Sequence, residues 1–488
     1  MNSHIHDILI IGGGINGAAI AADAAHRGLD IVLCEKNDLG SGTSSASSQL
    51  IHGGLRYLEQ YDFKLVRKSL KEREILLHKA PFLISPLEFI IPMQSLSKPS
   101  WLIRSGLWIY DHLNFNNSLP RSKAMALSQG LTSAPLKNNI QKGFSYWDCH
   151  VDDARLVILN ALAAKEKGAT ILPHTQFIQA KRHPEYWEIE LKNHHEESYI
   201  VHARLLVNAT GPWVRETSQK IHSSPIYDIE LVKGSHMIVP KLYEGNHAYL
   251  LQNKDGRIVF VLPYFNEFNV IGTTEIDYAG TLNHVAITEA EKDYLCHCIN
   301  QYFEKSLNAS EIIQSYSGIR PLVKQNNKKN SSEMSRDYDL QLDESDGLAP
   351  LLTVLGGKLT THRQLGEECL LRVKKFFLNA KNDSTRNIFL PGGSMSNFEN
   401  FYQTLRVTYP WLNEKILFRY AKQYGSRIHE LLFGINDFEG LRIAFSEDLY
   451  EREVEFLIEH EWAESAEDVL WRRTKLGLFF NKIQIQKL

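Results

Sequence analysis

The stretch that decides the fold is residues 7–36, DILIIGGGINGAAIAADAAHRGLDIVLCEK. Its apolar runs and its Ala-rich middle predict a strand, a glycine turn, a helix and a second strand. Gly12, Gly14 and Gly17 match G-x-G-x-x-G, which permits a tight turn, approach of the backbone to a pyrophosphate, and close packing of helix on strand. Glu35 follows the second strand, where a carboxylate can accept hydrogen bonds from ribose hydroxyls. The stretch therefore predicts a βαβ unit that binds a dinucleotide, with a packing turn that holds no ligand as the alternative.

Three later segments favour FAD as that dinucleotide. The loop GSGTSSASS (40–48) offers small hydroxyls and glycines to a phosphate or a ring, although a flexible surface loop can have the same composition. The apolar run LLVNATGPWV (205–214) ends in small residues against which a cofactor can lie. The segment APLLTVLGGKLTT (349–361) predicts a strand, a Gly-Gly turn and a helix start. The partial positive charge of a helix N-terminus suits the anionic edge of a flavin.

Composition excludes several classes of protein. Lys and Arg number 54 against 57 Asp and Glu, without the positive excess of a nucleic-acid-binding protein, so we expect no nucleic-acid partner. The longest apolar stretch, 8–25, contains Asn16, Asp23 and four glycines, which is too polar for a transmembrane span. Its N-terminal flank lacks Lys and Arg, so we expect no signal peptide and a cytoplasmic location. Cys296-His297-Cys298 lacks the usual spacing of zinc ligands, and we expect no metal.

Ten segments, taken in order, resemble one family, the FAD-dependent glycerol-3-phosphate dehydrogenases of the bacterial aerobic, quinone-linked type. These segments are IGGGINGAAIAADAAHRGL, GTSSASSQLIHGGLRYLE, DCHVDDARLV, VNATGPWV, LVKGSHMIVP, IGTTEIDY, YSGIRPL, SRDYDL, GGKLTTHR and EWAESAEDVLWRRTKLGL. The resemblance implies oxidation of sn-glycerol 3-phosphate to dihydroxyacetone phosphate, with electrons passing through FAD to ubiquinone at the membrane surface. We also expect a homodimer that is peripherally associated with the inner face of the cytoplasmic membrane.

The motifs and the resemblance together assign the cofactor-binding residues. The assigned set is Gly12, Gly14, Asn16, Gly17, Glu35, Thr43, Ser44, Ser45, Ser48, Leu50, His52, Gly53, Gly54, Ala209, Gly211, Gly318, Gly356, Gly357, Lys358, Leu359 and Thr360.

The expected fold is α/β, or α+β overall, with a Rossmann-like FAD domain, an interleaved antiparallel-sheet substrate domain and a C-terminal helical cap. The expected boundaries are 1–80, 145–225 and 345–385 for the FAD domain, 81–144 and 226–344 for the substrate domain, and 389–488 for the cap. Within the cap, ESAEDVLWRRTKLGL predicts a helix that Ser465 caps. Arg472, Arg473 and Lys475 would then complement the C-terminal end of that helix.

A glycerol phosphate substrate requires cations for its phosphate. Arg56, Arg320 and Arg336 lie in segments that carry the resemblance, and guanidinium groups match phosphate oxygens in paired, charge-assisted hydrogen bonds. Tyr57 can add a hydroxyl donor, or can serve only in packing. An ordinary surface ion pair is the alternative role for each arginine.

The chemical step requires a base and stabilisation of negative charge. His236 is the first candidate for general base, because imidazole titrates near working pH; a structural, hydrogen-bonded histidine is the alternative. Lys358 lies at the helix start placed against the flavin and can stabilise developing negative charge, or can be a solvated lysine. Thr273 and Thr274 are candidates for hydrogen bonds to substrate hydroxyls. The catalytic set is therefore His236, Lys358 and Arg320.

A quinone reductase must contact the bilayer, and the segment KPSWLIRSGLWIYDHL (98–113) mixes tryptophans, apolar residues and basic residues. This mixture is compatible with an interfacial helix, and a helix packed on the core would show similar periodicity.

Two other functions use the same motifs. One is a glycerol-3-phosphate oxidase that reduces O2 to H2O2; family oxidases typically carry an insertion before the helical domain, and this chain does not. The other is a flavin-containing binding module without catalysis, which would have no need for Arg56, Arg320, Arg336 and Lys358 together.

Overall fold

The computed structural model describes residues 4–94, 99–114, 116–223, 229–323, 336–345 and 347–488. The strands in chain order are β1 (Ile5–Ile11), β2 (Ile31–Cys34), β3 (Leu50–Ile51), β4 (Ser85–Pro92), β5 (Lys123–Ala126), β6 (Lys142–His150), β7 (Thr170–Leu172), β8 (Gln176–Arg182), β9 (Trp187–Lys192), β10 (Ser198–Asn208), β11 (Ile229–Pro240), β12 (Ala248–Gln252), β13 (Ile258–Tyr264), β14 (Phe268–Gly272), β15 (Ile276–Asp277), β16 (Gln314–Val323), β17 (Tyr338–Asp343) and β18 (Leu351–Gly356). The α-helices are α1 (Ile15–His26), α2 (Phe63–Lys79), α3 (Ser100–His112), α4 (Asp153–Lys165), α5 (Val214–Lys220), α6 (Glu289–Tyr302), α7 (His362–Val373), α8 (Phe398–Thr408), α9 (Glu414–Tyr424), α10 (Ile428–Leu431), α11 (Glu451–Glu461) and α12 (Lys482–Lys487).

The first sheet contains the predicted βαβ unit. Its order is β17-β18-β10-β1-β2-β7, with β1 parallel to both β2 and β10. Alternation along β1 places Ile8 and Ile10 in a core with α1, α4 and α7, while Leu9 and Ile11 pack with the β8–β9 hairpin. Both faces of the sheet are therefore covered, as a parallel sheet requires. The predicted α/β class is confirmed.

The second sheet is largely antiparallel and runs β15-β11-β14-β13-β12-β4-β6-β3, with β16 on β11 and β5 on β6. The expected domain boundaries differ from the strand pairing at two places. Within the range 226–344, β17 pairs with β18 of the first sheet, whereas β3 and most of β6, assigned to the FAD domain, belong to the second sheet. Pairing between strands distant in sequence sets these memberships, and hydrophobic periodicity does not report it.

The C-terminal helices enclose a core of their own, which includes Leu405, Ile416, Tyr420 and Phe456. Between α11 and α12 the chain forms one π-helix, Asp468–Arg473. Ser465 Oγ accepts a hydrogen bond from the backbone N–H of Asp468, as its predicted capping role requires.

Arg472 and Arg473 lie in the last turn of this helix, as predicted, and Lys475 follows it. All three side chains are buried, and they also pair with carboxylates that lie far away in the chain, Asp38 and Asp153. Arg472 pairs in addition with Glu467 and Asp468 of its own helix. Within the chain that the structure describes, no helix combines the length and the apolar character needed to cross a bilayer.

Candidate active site

A cavity of about 380 Å³ is lined by residues from both sheets. It runs from Glu35, beside β2, to Lys358, which follows β18. Most of the predicted cofactor residues line it, namely Gly12, Gly14, Asn16, Glu35, Thr43, Ser44, Ser48, Leu50, His52, Gly54, Ala209, Gly211, Gly318, Gly356, Gly357, Lys358, Leu359 and Thr360.

The glycine turn brings three backbone segments close together. Gly12 has a φ of +108°, and a Cβ atom on it would lie 2.7 Å from the carbonyl oxygen of Ala209 at the end of β10. A Cβ atom on Gly17 would lie 1.9 Å from the carbonyl oxygen of Gly12. Gly17 therefore packs α1 on the turn rather than facing the cavity, which is the role assigned to the third glycine of the motif.

Glu35 closes the end of the cavity next to α1. Its carboxylate accepts hydrogen bonds from the backbone N–H groups of Gly13 (2.8 Å) and Asn37 (3.0 Å). Burial raises the pKa of Glu35 above its usual value, although these two N–H groups oppose the shift. The residue is thus fixed at the position where a ribose hydroxyl would be recognised.

The hydroxyl-rich loop 40–48 is held by its own side chains. Thr43 Oγ1 donates to the carbonyl of Ile319 (2.6 Å), and Ser44 Oγ accepts from the backbone N–H of Ile15 (3.0 Å). Ser45 Oγ points back to the carbonyl of Gly42. Some of the hydroxyl groups that were predicted to bind a phosphate therefore hold the loop in its conformation.

At the opposite end of the cavity, the backbone of Gly356 and Gly357 carries no side chain, so a planar ring of a ligand can lie against it. Gly356 and Gly357 have φ values of +71° and +105°, a region in which L side chains are strained. Asn16 Nδ2 donates to the carbonyl of Gly356 (3.0 Å), while Asn16 Oδ1 is buried and has no hydrogen-bond partner among the described residues. A buried acceptor without a donor is costly, so a ligand that donates to it fits this position.

These features fit FAD. The elongated cavity has a ribose-binding carboxylate at one end, the N-terminus of α1 beside the glycine turn, and a glycine cradle with an unsatisfied amide oxygen at the other end. Gly53 supports this wall from behind, because its N–H donates to the hydroxyl of Tyr110 (2.8 Å).

Three arginines meet at this end of the cavity around one carboxylate. Arg56 and Arg336 donate to Glu275 at 2.9 and 2.8 Å, and Arg320 NH1 lies 3.6 Å from it. Burial raises the pKa of Glu275, but the guanidinium groups of Arg336, Arg56 and Arg320 outweigh burial and hold it below its usual value. The structure thus brings together the three predicted phosphate ligands.

Glu275 itself was missed by the sequence analysis. It lies in the quoted segment IGTTEIDY, directly after the two threonines. An acid in a segment that also supplies candidate substrate ligands was the available signal.

Lys358 and Tyr57 lie beside this cluster. Lys358 Nζ is 4.3 Å from the centre of the Tyr57 ring and donates to Ser69 Oγ at 3.1 Å. Burial lowers the pKa of Lys358 to about 7. Lys358 is therefore not a solvated surface lysine, and its charge state changes near physiological pH.

His236 lies behind the cavity wall. Its ring stacks on Tyr316 with centroids 4.8 Å apart, and Nε2 is 2.9 Å from the hydroxyl of Ser48, which lines the cavity. Burial lowers the pKa of His236 to about 3, so the imidazole is neutral at physiological pH. A second histidine, His52, lines the cavity directly, and burial also lowers its pKa to about 3.

The two threonines have different surroundings. Thr273 lines the cavity, and its Oγ1 accepts a long hydrogen bond (3.5 Å) from Arg320. Thr274 Oγ1 instead donates to Glu291 (2.8 Å) and accepts from the N–H of Ser235 (2.9 Å). The structure therefore does not place Thr274 at a substrate hydroxyl, since its side chain holds β11 to α6.

Helix α3 is the predicted interfacial segment, and it has one face packed on the core and another face exposed to solvent. Ile103, Leu107 and Tyr110 are buried against the core, whereas Trp101 and Trp108 are 70% and 58% exposed. Lys98, which the sequence analysis included in this segment, lies outside the described residues.

The chain is similar to known FAD enzymes along its whole length. The family described as "FAD dependent oxidoreductase" matches residues 7–358, and the "C-terminal domain of alpha-glycerophosphate oxidase" matches residues 383–486. Glycerol-3-phosphate dehydrogenase of Pseudomonas aeruginosa is 47% identical over 100% of this chain and 94% of its own. D-erythritol 1-phosphate dehydrogenase of Brucella abortus is 46% identical over 96% of this chain and 94% of its own. The crystal structure of the glycerol-3-phosphate dehydrogenase from Bacillus halodurans complexed with FAD has a TM-score of 0.78 at 26% identity, and the match covers 100% of this chain and 89% of that chain.

Proposed function

Because the chain belongs to the family of FAD-dependent glycerol-3-phosphate dehydrogenases, we propose that it oxidises sn-glycerol 3-phosphate to dihydroxyacetone phosphate and passes the electrons to ubiquinone. The observation that carries this proposal is the convergence of Arg56, Arg320 and Arg336 with Lys358 at one end of the FAD cavity. When bound, FAD supplies the acceptor for the hydride that leaves C2 of the substrate.

The arginine cluster can hold the phosphate group. Three guanidinium groups lie around the carboxylate of Glu275 in a partly buried place. A phosphate dianion offers several oxygens to such donors in charge-assisted hydrogen bonds. Glu275 keeps the guanidinium groups positioned before the substrate arrives, so less conformational entropy is lost on binding.

His236 is the proposed acceptor of the C2 hydroxyl proton. Its imidazole is neutral, and the nitrogen that faces the cavity wall is Nε2, which lies 2.9 Å from Ser48 Oγ, so the proton would reach Nε2 through this hydroxyl. Because burial lowers the pKa of the ring to about 3, the ring is a weak base until the bound ligands change its surroundings. In this arrangement Ser48 connects the buried ring to the cavity. Lys358 contributes positive charge next to the developing alkoxide or the phosphate.

D-erythritol 1-phosphate is the second candidate substrate. The observation that favours it is sequence identity. The Brucella abortus enzyme is 46% identical to this chain and the Pseudomonas aeruginosa enzyme is 47% identical. Both substrates are polyol monophosphates, so the arginine cluster alone does not discriminate between them. Discrimination must come from the part of the cavity that contacts the rest of the polyol, where Tyr146, Leu250 and Phe260 supply apolar surface.

The test is oxidation of each polyol phosphate by the purified holoenzyme with an artificial dye as electron acceptor. We expect the larger kcat/KM with sn-glycerol 3-phosphate, and a raised KM with a lowered kcat in Arg320→Ala while FAD stays bound. Arg204→Ala is the matched control, because Arg204 is a largely exposed arginine on β10. A larger kcat/KM with D-erythritol 1-phosphate would identify that compound as the substrate instead. Bound FAD without activity on either compound would support the binding-module alternative.

The membrane contact is assigned in this proposal to α3. Its exposed tryptophans lie on the face opposite the buried residues of the helix. Tryptophan favours the headgroup region of a bilayer. A peripheral enzyme held in this way could deliver electrons to a quinone dissolved in the lipid.

A further inference from the structure

The basic segment 472–475 of the C-terminal helical half lies under the FAD-binding half. Arg473 and Lys475 are 0% and 6% exposed, although both are charged. Buried charges require partners. Arg473 pairs with Asp38 on a loop that lines the FAD cavity, whereas Lys475 pairs with Asp153, the first residue of α4, which in turn bonds to a second cavity loop.

The first loop is the one that carries Glu35. Asp38, three residues further on, is buried and receives two parallel hydrogen bonds of 2.8 Å from Arg473 and one of 2.5 Å from Arg472. The same loop is tied to the glycine turn, because the N–H of Gly40 donates to the carbonyl of Gly13. The arginines therefore fix the far side of the loop that presents Glu35 to the cavity.

The second loop is the hydroxyl-rich loop. Lys475 Nζ donates to Asp153 Oδ1 at 2.9 Å, and the other oxygen of Asp153 accepts from the N–H and the hydroxyl of Ser47 at 3.1 and 2.7 Å. Ser47 lines the cavity, and the next residue, Ser48, contacts His236. A continuous chain of polar contacts thus runs from the C-terminal half to the cavity wall.

Asp153 shares the ammonium group of Lys475 with a second carboxylate. It has an acidic neighbour, Asp152, whose carboxylate lies 3.6 Å from the same ammonium group. Without Lys475, the buried carboxylate of Asp153 and the partly exposed one of Asp152 would lose the cation that they share. That change alters the acceptor to which Ser47 is bound.

We propose that Lys475 is a positioning residue for FAD, acting through Asp153 and Ser47 on the loop that lines the cavity. The C-terminal helical half therefore contributes to FAD binding through these contacts, in addition to packing against the FAD-binding half. This inference rests on FAD binding and not on the substrate, so it stands or falls independently of the proposed reaction.

The experiment measures the dissociation constant of FAD and the visible circular dichroism of the bound flavin in full-length protein. We expect Lys475→Met to weaken FAD binding about tenfold, because it leaves uncompensated buried charge next to the loop. We expect the flavin dichroism to change as well. The double variant Lys475→Met with Asp153→Asn removes both charges, and we expect it to recover most of the lost affinity.

Glu461→Gln is the matched control. Glu461 is a buried partner of Arg155 across the same two halves, and its side chain bonds to neither cavity loop. The variant keeps the backbone carbonyl of Glu461, to which Arg473 donates. We expect this variant to lower the unfolding temperature and to leave the dichroism of the flavin unchanged. If it weakens FAD binding as much as Lys475→Met does, Lys475 has only a structural role and the proposal is overturned.

Ser47→Ala keeps every ion pair and serves if Lys475→Met does not fold. We expect a smaller loss of FAD affinity from it, about threefold, since one of its two hydrogen bonds to Asp153 remains. Unchanged FAD affinity and an unchanged flavin spectrum in Ser47→Ala would overturn the proposal.

Discussion

At the scale of single residues, Lys358 has a charge that responds to ligand. Burial lowers its pKa to about 7, so the free protein holds ammonium below that pH and neutral amine above it. A bound phosphate dianion favours the ammonium form. Substrate binding is therefore coupled to proton uptake above pH 7.

We predict that KM for sn-glycerol 3-phosphate rises as pH increases through about 7, by up to tenfold per pH unit. Lys358→Arg should remove this dependence, because a guanidinium stays charged throughout. Steady-state kinetics across pH measure both. The substrate phosphate protonates near pH 6 with both the parent enzyme and the variant, so it does not produce a difference between them. If KM of Lys358→Arg rises above pH 7 as KM of the parent enzyme does, the prediction is contradicted.

His236 gives the second prediction at this scale. If it accepts the hydroxyl proton, His236→Ala should slow the reduction of bound flavin by substrate about 10²- to 10⁴-fold. Anaerobic stopped-flow absorbance measures this rate, and reduction by dithionite should be unaffected. His429→Ala is the control, because His429 is a hydrogen-bonded histidine of the C-terminal half. An unchanged rate in His236→Ala would leave the ring with a structural role.

At the scale of elements, the β1–α1 turn depends on the absence of one side chain. A Cβ atom on Gly17 would lie 1.9 Å from the carbonyl oxygen of Gly12, which cannot move without displacing the turn. The helix and the cavity wall are therefore fixed by the same contact.

We predict that Gly17→Ala loses FAD and is destabilised by about 1–3 kcal/mol, as overpacking is elsewhere. Thermal unfolding and the ratio of flavin to protein absorbance measure the two effects. Gly106→Ala, in α3, has open space for its Cβ atom and should instead be neutral or stabilised by about 0.5–1 kcal/mol. Full FAD content in Gly17→Ala would show that the turn can relax.

Helix α3 gives the other prediction at this scale. Replacing Trp101 and Trp108 with glutamate should reduce the fraction of protein that floats with vesicles of phosphatidylethanolamine and phosphatidylglycerol, because charge is costly at the headgroup boundary. Phe433→Glu is the control, since Phe433 is 84% exposed on the C-terminal half. Retained flotation in the double variant would exclude α3 as the anchor.

At the scale of the whole molecule, two sheets and a helical half share one cofactor site. The C-terminal helices have their own core, yet their contacts with the FAD-binding half include buried ion pairs such as Arg155–Glu461 and Arg473–Asp38. Breaking one partner of such a pair is costly. We therefore expect the two halves to unfold together.

The electron acceptor is also a property of the whole protein. We predict that turnover of sn-glycerol 3-phosphate in air releases little H2O2, and that a soluble ubiquinone analogue accelerates turnover. A peroxidase-coupled assay measures the first and quinone absorbance the second. Stoichiometric peroxide would identify the oxidase alternative. The homodimer stays a prediction, which light scattering of the holoenzyme can test.

The sequence alone determined the βαβ unit, because this unit depends on residues close together in the chain. The other segments that line the cavity were identified one at a time, and only their folding brings them together. Strand period, turn glycines and a carboxylate at the end of β2 are local signals. The family resemblance added the arginines, whose segments it marked one by one.

Only the tertiary structure decided what those residues contact. Arg56, Arg320 and Arg336 come from distant segments and meet around Glu275, which the sequence-based assignment of the site did not include. Arg473 lies at a helix end as expected, but its side chain and that of Lys475 bind Asp38 and Asp153, more than 300 positions away. A charged residue needs a partner if the fold buries it. Which residue becomes the partner depends on how distant segments pack together, and hydrophobic periodicity does not report that packing.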